Sequence, residues 1–160
     1  MSPTHCVPLP GTSYEDQELL AASDVAIDLR AGDKASLLKD LAARAASALG
    51  LSVDAVTNEI EKRDELGSTG IGGGVSIPHA RLREVRKAFG LMVRLKQPIE
   101  FEAIDGQPVD IVFLLMLPAA SQLEQLNALA AVARKLRDPE VLRKLRAASS
   151  STEFYRAVTE

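Results

Sequence analysis

His79 stands shortly beyond a glycine-rich run, Gly67-Ser68-Thr69-Gly70-Ile71-Gly72-Gly73-Gly74, and directly behind Pro78. A neutral imidazole is a competent nucleophile near pH 7, because its reference pKa is about 6.5. Attack on a phosphoryl donor would leave a reactive phosphohistidine that can pass the group to a second acceptor. Such transfer is mostly positioning, plus neutralisation of charge on the phosphoryl oxygens. The surrounding residue types suit that task. Glycines admit positive φ and let backbone N–H groups turn toward an anion. Ser68 and Thr69 add hydroxyls, and Arg63 and Arg81 bracket the run with guanidinium groups that match phosphate oxygens. A second reading stays open on these residues alone: a tight surface turn packed on a strand, with a histidine that is only structural or exposed. Two other phosphate motifs do not fit. The P-loop needs a Lys, and this run has none. The dinucleotide fingerprint follows a strand, whereas a helical pattern precedes this run.

The elements that must position these residues follow from periodicity. Asp24–Arg30 alternates apolar and polar, as a half-buried strand does. Asp33 reads as the N-cap of a helix carrying Leu37, Leu38, Leu41, Ala45, Ala48 and Leu49, stopped by Gly50. Ser52 caps a second helix with Val53, Val56 and Ile60 inside, ending near Leu66. Val75–Ile77 is a short apolar piece, Ala88–Leu95 a strand, and Pro98 to Phe101 a brief edge piece. Asp105-Gly106 marks a turn. Val109–Leu117 is nearly all apolar, as in a central strand covered on both faces. A helical stripe of Leu126, Leu129, Ala130, Ala133 and Leu136 follows. Asp138-Pro139 opens a further helix, and Ser151 caps a last one. Helices on both sides of strands make an α/β layered domain. Lys34, Lys39 and Arg44 read as a solvated helix face, and the mixed charges of Arg134 to Arg146 as ordinary surface.

Composition bounds the rest. The 160 residues are 46% hydrophobic but only 4% aromatic, so Leu, Val, Ile and Ala must build the core. The net charge of −3 gives no nucleic-acid or anionic-membrane surface. Cys6 cannot form an internal disulfide, and with only His5 and His79 beside it no metal-ligand spacing arises. No apolar run is long enough to span a bilayer, and no secretory signal pattern opens the chain. Residues Met1 to Asp16 read as a flexible leader before a single domain over 17–160. A cytoplasmic, metal-free and cofactor-free protein is expected.

The stretch from Arg63 to Arg81, RDELGSTGIGGGVSIPHAR, resembles the active-site signature of the fructose/mannitol-type enzyme IIA family of the bacterial phosphoenolpyruvate-dependent phosphotransferase system. Similarity runs from about Glu18 onward. It includes Phe101–Val109, Val112–Pro118 and Leu136–Leu145, and is nearest the nitrogen-related branch. The resemblance implies a three-layer α/β/α sandwich around a small mixed β-sheet. It implies that His79 carries the phosphoryl group on Nε2 and that Arg63 steadies its oxygens. Ser68, Thr69, Gly70, Gly72, Gly73 and Arg81 would line the phosphoryl site. The implied donor is a histidine phosphocarrier protein, and the implied recipients are regulatory targets or a separate enzyme IIB.

One position departs from the family. Many members carry a second histidine early in the helix after the central strand, and Gln125 falls there. Its amide can donate a hydrogen bond but cannot become positive. Three functions are therefore carried forward: a regulatory phosphocarrier, a sugar-transport enzyme IIA, and a degenerate module that binds without transfer. A noncovalent phosphate- or nucleotide-binding protein is a further class, disfavoured by the missing P-loop Lys.

Overall fold

The apolar run becomes β6 (Val109–Pro118), in which every residue except Asp110 is buried. Its side chains alternate between two cores. Val112, Leu114 and Met116 face one, and Ile111, Phe113, Leu115 and Leu117 face the other. The computed structural model describes residues 19–67, 69–119 and 122–159; the leader and Ser68 lie outside these.

Around β6 lies a six-stranded mixed sheet of order β1-β5-β6-β3-β2, with β4 also on β6. The other strands are β1 (Leu20–Leu29), β2 (Gly70–Gly72), β3 (Val75–Ser76), β4 (His79–Leu82) and β5 (Phe89–Ile99). β5 runs antiparallel to β6, with Val93 opposite Val112, and parallel to β1. β3 and β4 run in series along the same side of β6, both parallel to it. Val75 pairs with Ile111, and His79 with Leu115. The break between them falls at Pro78, which has no N–H to give to a ladder. The Pro78 carbonyl still accepts from Leu115 N–H at 2.9 Å, so the chain stays on β6 and delivers His79 in register.

Helices cover both faces. On one side pack α1 (Lys34–Leu49) and α2 (Val53–Glu65), through Leu37, Leu41, Ala45, Val56 and Ile60. Asp33 caps α1 by accepting from Ser36 N–H at 2.8 Å, and Gly50 ends it at φ +69°. Ser52 caps α2 by accepting from Ala55 N–H. On the other side lie α3 (Gln122–Leu136), α4 (Pro139–Ala147) and α5 (Ser151–Thr159), with Val132, Leu136, Leu145, Phe154 and Val158 inward. The α/β/α sandwich is thus the observed architecture. No helix among the described residues is long and apolar enough to cross a membrane.

Several expectations shift. β1 begins at Leu20, before the alternating stretch, and β5 continues through Pro98 to Ile99, absorbing the separate edge piece. Part of the glycine run itself forms β2. α5 is capped by the Ser150 hydroxyl, which accepts from Glu153 N–H, rather than by Ser151. α3 turns a different stripe inward: Gln125, Ala128, Ala131, Val132 and Leu136 are buried, while Leu126 and Ala130 face out. Lys34 is not solvated but pairs with Asp64 and Glu102. Arg146 leaves the ordinary surface to bind the Asp110 carboxylate.

Candidate active site

The cleft that holds His79 opens between the end of α2, the strand β4 and the start of α3, and has a volume of about 680 Å³. Glu59, Lys62, Arg63 and Leu66 form one wall, and Gln125, Leu126 and Leu129 the other. His79 and Arg81 project along its floor beside Leu117. Because Ala80 and Leu82 are buried in the α1–α2 core, strand alternation sends His79 and Arg81 the other way.

The imidazole is fixed at both nitrogens. Nδ1 lies 3.0 Å from the Ile77 carbonyl oxygen, which can only accept, so Nδ1 carries the proton. Nε2 lies 3.1 Å from Arg63 Nε, an obligate donor, so Nε2 presents its lone pair. Two independent partners thus select one neutral tautomer with the nucleophilic nitrogen in the cleft. The pKa points the same way. Burial is the main cause pushing it below 6.5, and the Arg63 and Arg81 charges add to that. The hydrogen bond to Ile77 opposes them.

Arg63 does two jobs from the last turn of α2. Its Nε meets His79, and Nη1 donates to the Gly67 carbonyl at 2.9 Å, which ties down the chain leaving the helix. A phosphoryl group arriving at Nε2 would meet this guanidinium at once. Arg81 and Lys62 add positive charge along the cleft. Gln125 is buried and donates from Nε2 to the Pro118 carbonyl at 2.8 Å, so it is built into the cleft wall rather than exposed on a helix.

The structure therefore brings His79, Arg63, Arg81 and Gln125 together. It sends the glycines elsewhere. Gly70 and Gly72 pair with Ser76 and Val75 in the β2–β3 hairpin. Gly73 N–H donates to the Asp105 carboxylate at 3.0 Å, so an anion from the chain itself already occupies that amide. None of these glycines lines the cleft. Thr69 is buried, with its hydroxyl 3.0 Å from the Ser76 hydroxyl. Ser68, expected to line the phosphoryl site, lies outside the described residues. Sequence reasoning missed Lys62, Glu59 and Leu66 as wall residues. For Glu59 and Leu66, four residues before and three after Arg63, helical spacing was the available signal; for Lys62, adjacent to Arg63, there was none.

Comparison with known proteins agrees with this geometry. Residues 18–160 match the family described as phosphoenolpyruvate-dependent sugar phosphotransferase system, EIIA 2. A nitrogen regulatory protein of Bradyrhizobium diazoefficiens is 43% identical over 138 residues, 86% of this chain and 90% of its own. The crystal structure of nitrogen regulatory protein IIA-Ntr from Neisseria meningitidis superposes with a TM-score of 0.85 at 33% identity. That match covers 90% of this chain and 99% of the other. The mannitol IIA of Escherichia coli shares the fold, with a TM-score of 0.73 at 15% identity, over 86% of this chain and 97% of its own. On the sequence match, the superposition and the arrangement around His79, the chain belongs to the EIIA 2 family of the phosphoenolpyruvate-dependent sugar phosphotransferase system.

Proposed function

We infer that His79 accepts a phosphoryl group on Nε2 from a histidine phosphocarrier protein, and that the chain serves as a nitrogen-related regulatory phosphocarrier. The observation that carries this reading is the doubly anchored neutral imidazole, with Nε2 against Arg63. In the transfer step the Nε2 lone pair bonds to phosphorus as the donor's P–N bond breaks, and the donor imidazole keeps that electron pair. The growing positive charge on the His79 ring is met by its Nδ1–H···O=C contact with Ile77. Arg63 turns from Nε2 to the phosphoryl oxygens, aided by Arg81.

The cleft mouth suits a protein partner. Leu66 and Leu126 are 84% and 65% exposed there, and Leu123 is exposed one turn before. Exposed apolar side chains beside a charged cleft are typical of protein docking sites. A phosphoryl group adds roughly −1.5 to −2 charges, an order of magnitude borrowed from other phosphorylated residues. Placed between those leucines, it would change the docking surface without remodelling the fold. The nitrogen-regulatory relatives favour this role over sugar transport through a separate enzyme IIB.

The test is phosphoryl transfer read by intact mass. The protein is mixed with phosphoenolpyruvate, enzyme I and a histidine phosphocarrier protein, beside His79→Ala. One acid-labile phosphoryl group on the wild type and none on the variant is expected. No gain on a folded wild type with an active donor would turn the reading to a module that binds without transfer.

A further inference from the structure

Two charges occupy unfavourable ends of their helices and face each other. Asp64 lies in the last turn of α2, where the free carbonyls repel a carboxylate. Lys34 is the first residue of α1, where the free N–H groups repel an ammonium. Lys34 Nζ lies 3.1 Å from Asp64 Oδ2 and 2.8 Å from Glu102 Oε1, and 5.6 Å from the centre of the Phe101 ring. The pair is well shielded, with side chains 19% and 22% exposed. The second Asp64 oxygen, Oδ1, is buried and accepts no hydrogen bond among the described residues. An unsatisfied buried oxygen is costly. Local preference therefore does not place Asp64 here, and such departures concentrate at functional sites.

What the pair holds is the turn that carries Arg63. Beyond Ile60, the last buried residue of α2, the chain runs outward to the exposed Leu66 and Gly67. Among the described residues, short-range bonds close this end: Leu66 N–H to the Arg63 carbonyl, Gly67 N–H to the Asp64 carbonyl, and Arg63 Nη1 to the Gly67 carbonyl. A helix end held that way frays. Lys34 supplies a tether from a different helix, one residue from the arginine that contacts His79. We propose that Lys34 is a positioning residue of the phosphoryl-accepting site, acting through Asp64 to fix the turn from which Arg63 reaches His79. This rests on His79 being the acceptor.

The experiment compares Lys34→Met, which keeps the aliphatic stem over Phe101 without the charge, with wild type. Phosphoryl transfer slows about tenfold, in line with small misplacements of a catalytic group, while the half-saturating donor concentration is unchanged. The His79 imidazole, titrated by NMR, moves up in pKa, because Arg63 is one of the charges holding it down. The other ionisable groups around it, Arg81, Lys62 and Glu59, are untouched. Lys34→Arg restores both readouts, and Glu102→Gln leaves both alone. Asp64→Asn reproduces Lys34→Met, and serves if Lys34→Met is too unstable to assay. In an Arg63→Ala background, Lys34→Met has no further effect on the titration. A folded Lys34→Met with wild-type rate and titration would overturn the proposal, as would an equal shift without Arg63. The titration needs no donor, so a wild type that fails to accept phosphate overturns the site reading separately.

Discussion

The glycine hairpin and the cleft are neighbours in one short stretch of chain, yet they are built on opposite terms. At the hairpin several polar groups are committed to one another. Gly73 N–H meets Asp105, and Arg146 grips both Asp110 and the Gly73 carbonyl. A Cβ on Gly74, at φ +81°, would lie 2.5 Å from Arg146 Nη2 and 2.9 Å from Asp110 Oδ1. At the cleft the key group is held but available: His79 Nε2 has a partner that a phosphoryl group can replace. Glycine at the hairpin serves packing, and on the proposed function the chemistry would rest on the histidine and the cations of the cleft. A glycine run beside a candidate nucleophile need not be its anion cradle.

That contrast predicts which variants change rate and which change stability. Arg63→Ala should slow phosphoryl acceptance about a hundredfold, the usual cost of losing one charge-stabilising donor. Its urea midpoint should move little, and equal losses in both would erase the distinction. Gly74→Ala should cost about 2 kcal/mol in urea unfolding, from positive φ and overpacking together. The folded fraction should transfer at nearly the wild-type rate. Gln125→Leu sits between the two regions, since it removes the donor to Pro118 yet lines the cleft. It should cost about 1 kcal/mol of stability and slow transfer only a few-fold, as assayed by single-turnover mass spectrometry.

The smallest effect is on pH dependence. The folded His79 pKa lies below 6.5, so the unfolded chain takes up that proton first. His79 then contributes stability that is whole above pH 6.5 and declines as pH falls through the folded value. Relative to His79→Gln, wild-type stability should drop in that window and nowhere above it. A loss on raising the pH instead would mean that the imidazole gains, rather than loses, basicity on folding.

Sequence periodicity carried the central strand and the first two helices because their signals are unambiguous. The run of β6 is apolar on both faces, and Asp33, Gly50 and Ser52 are strong punctuation. α3 was misread for a physical reason. Ala and Leu occur all around it, so several stripes fit the period. The correct one includes the polar Gln125, while Leu126 faces the cleft mouth. The division of the glycine run from the cleft was illegible, because it depends on Asp105, Asp110 and Arg146, which lie far along the chain. The Lys34–Asp64 tether was illegible for the same reason. The family signature implied only that Arg63 would steady the phosphoryl oxygens on His79; the 3.1 Å contact between Arg63 Nε and the unphosphorylated ring was not foreseen.

The most direct measurement is nitrogen NMR of the His79 ring in 15N-histidine-labelled protein, before and after phosphorylation. The account predicts a neutral ring protonated on Nδ1 at pH 7 and a phosphoryl group on Nε2. A ring protonated on Nε2, or a phosphoryl group on Nδ1, would contradict it.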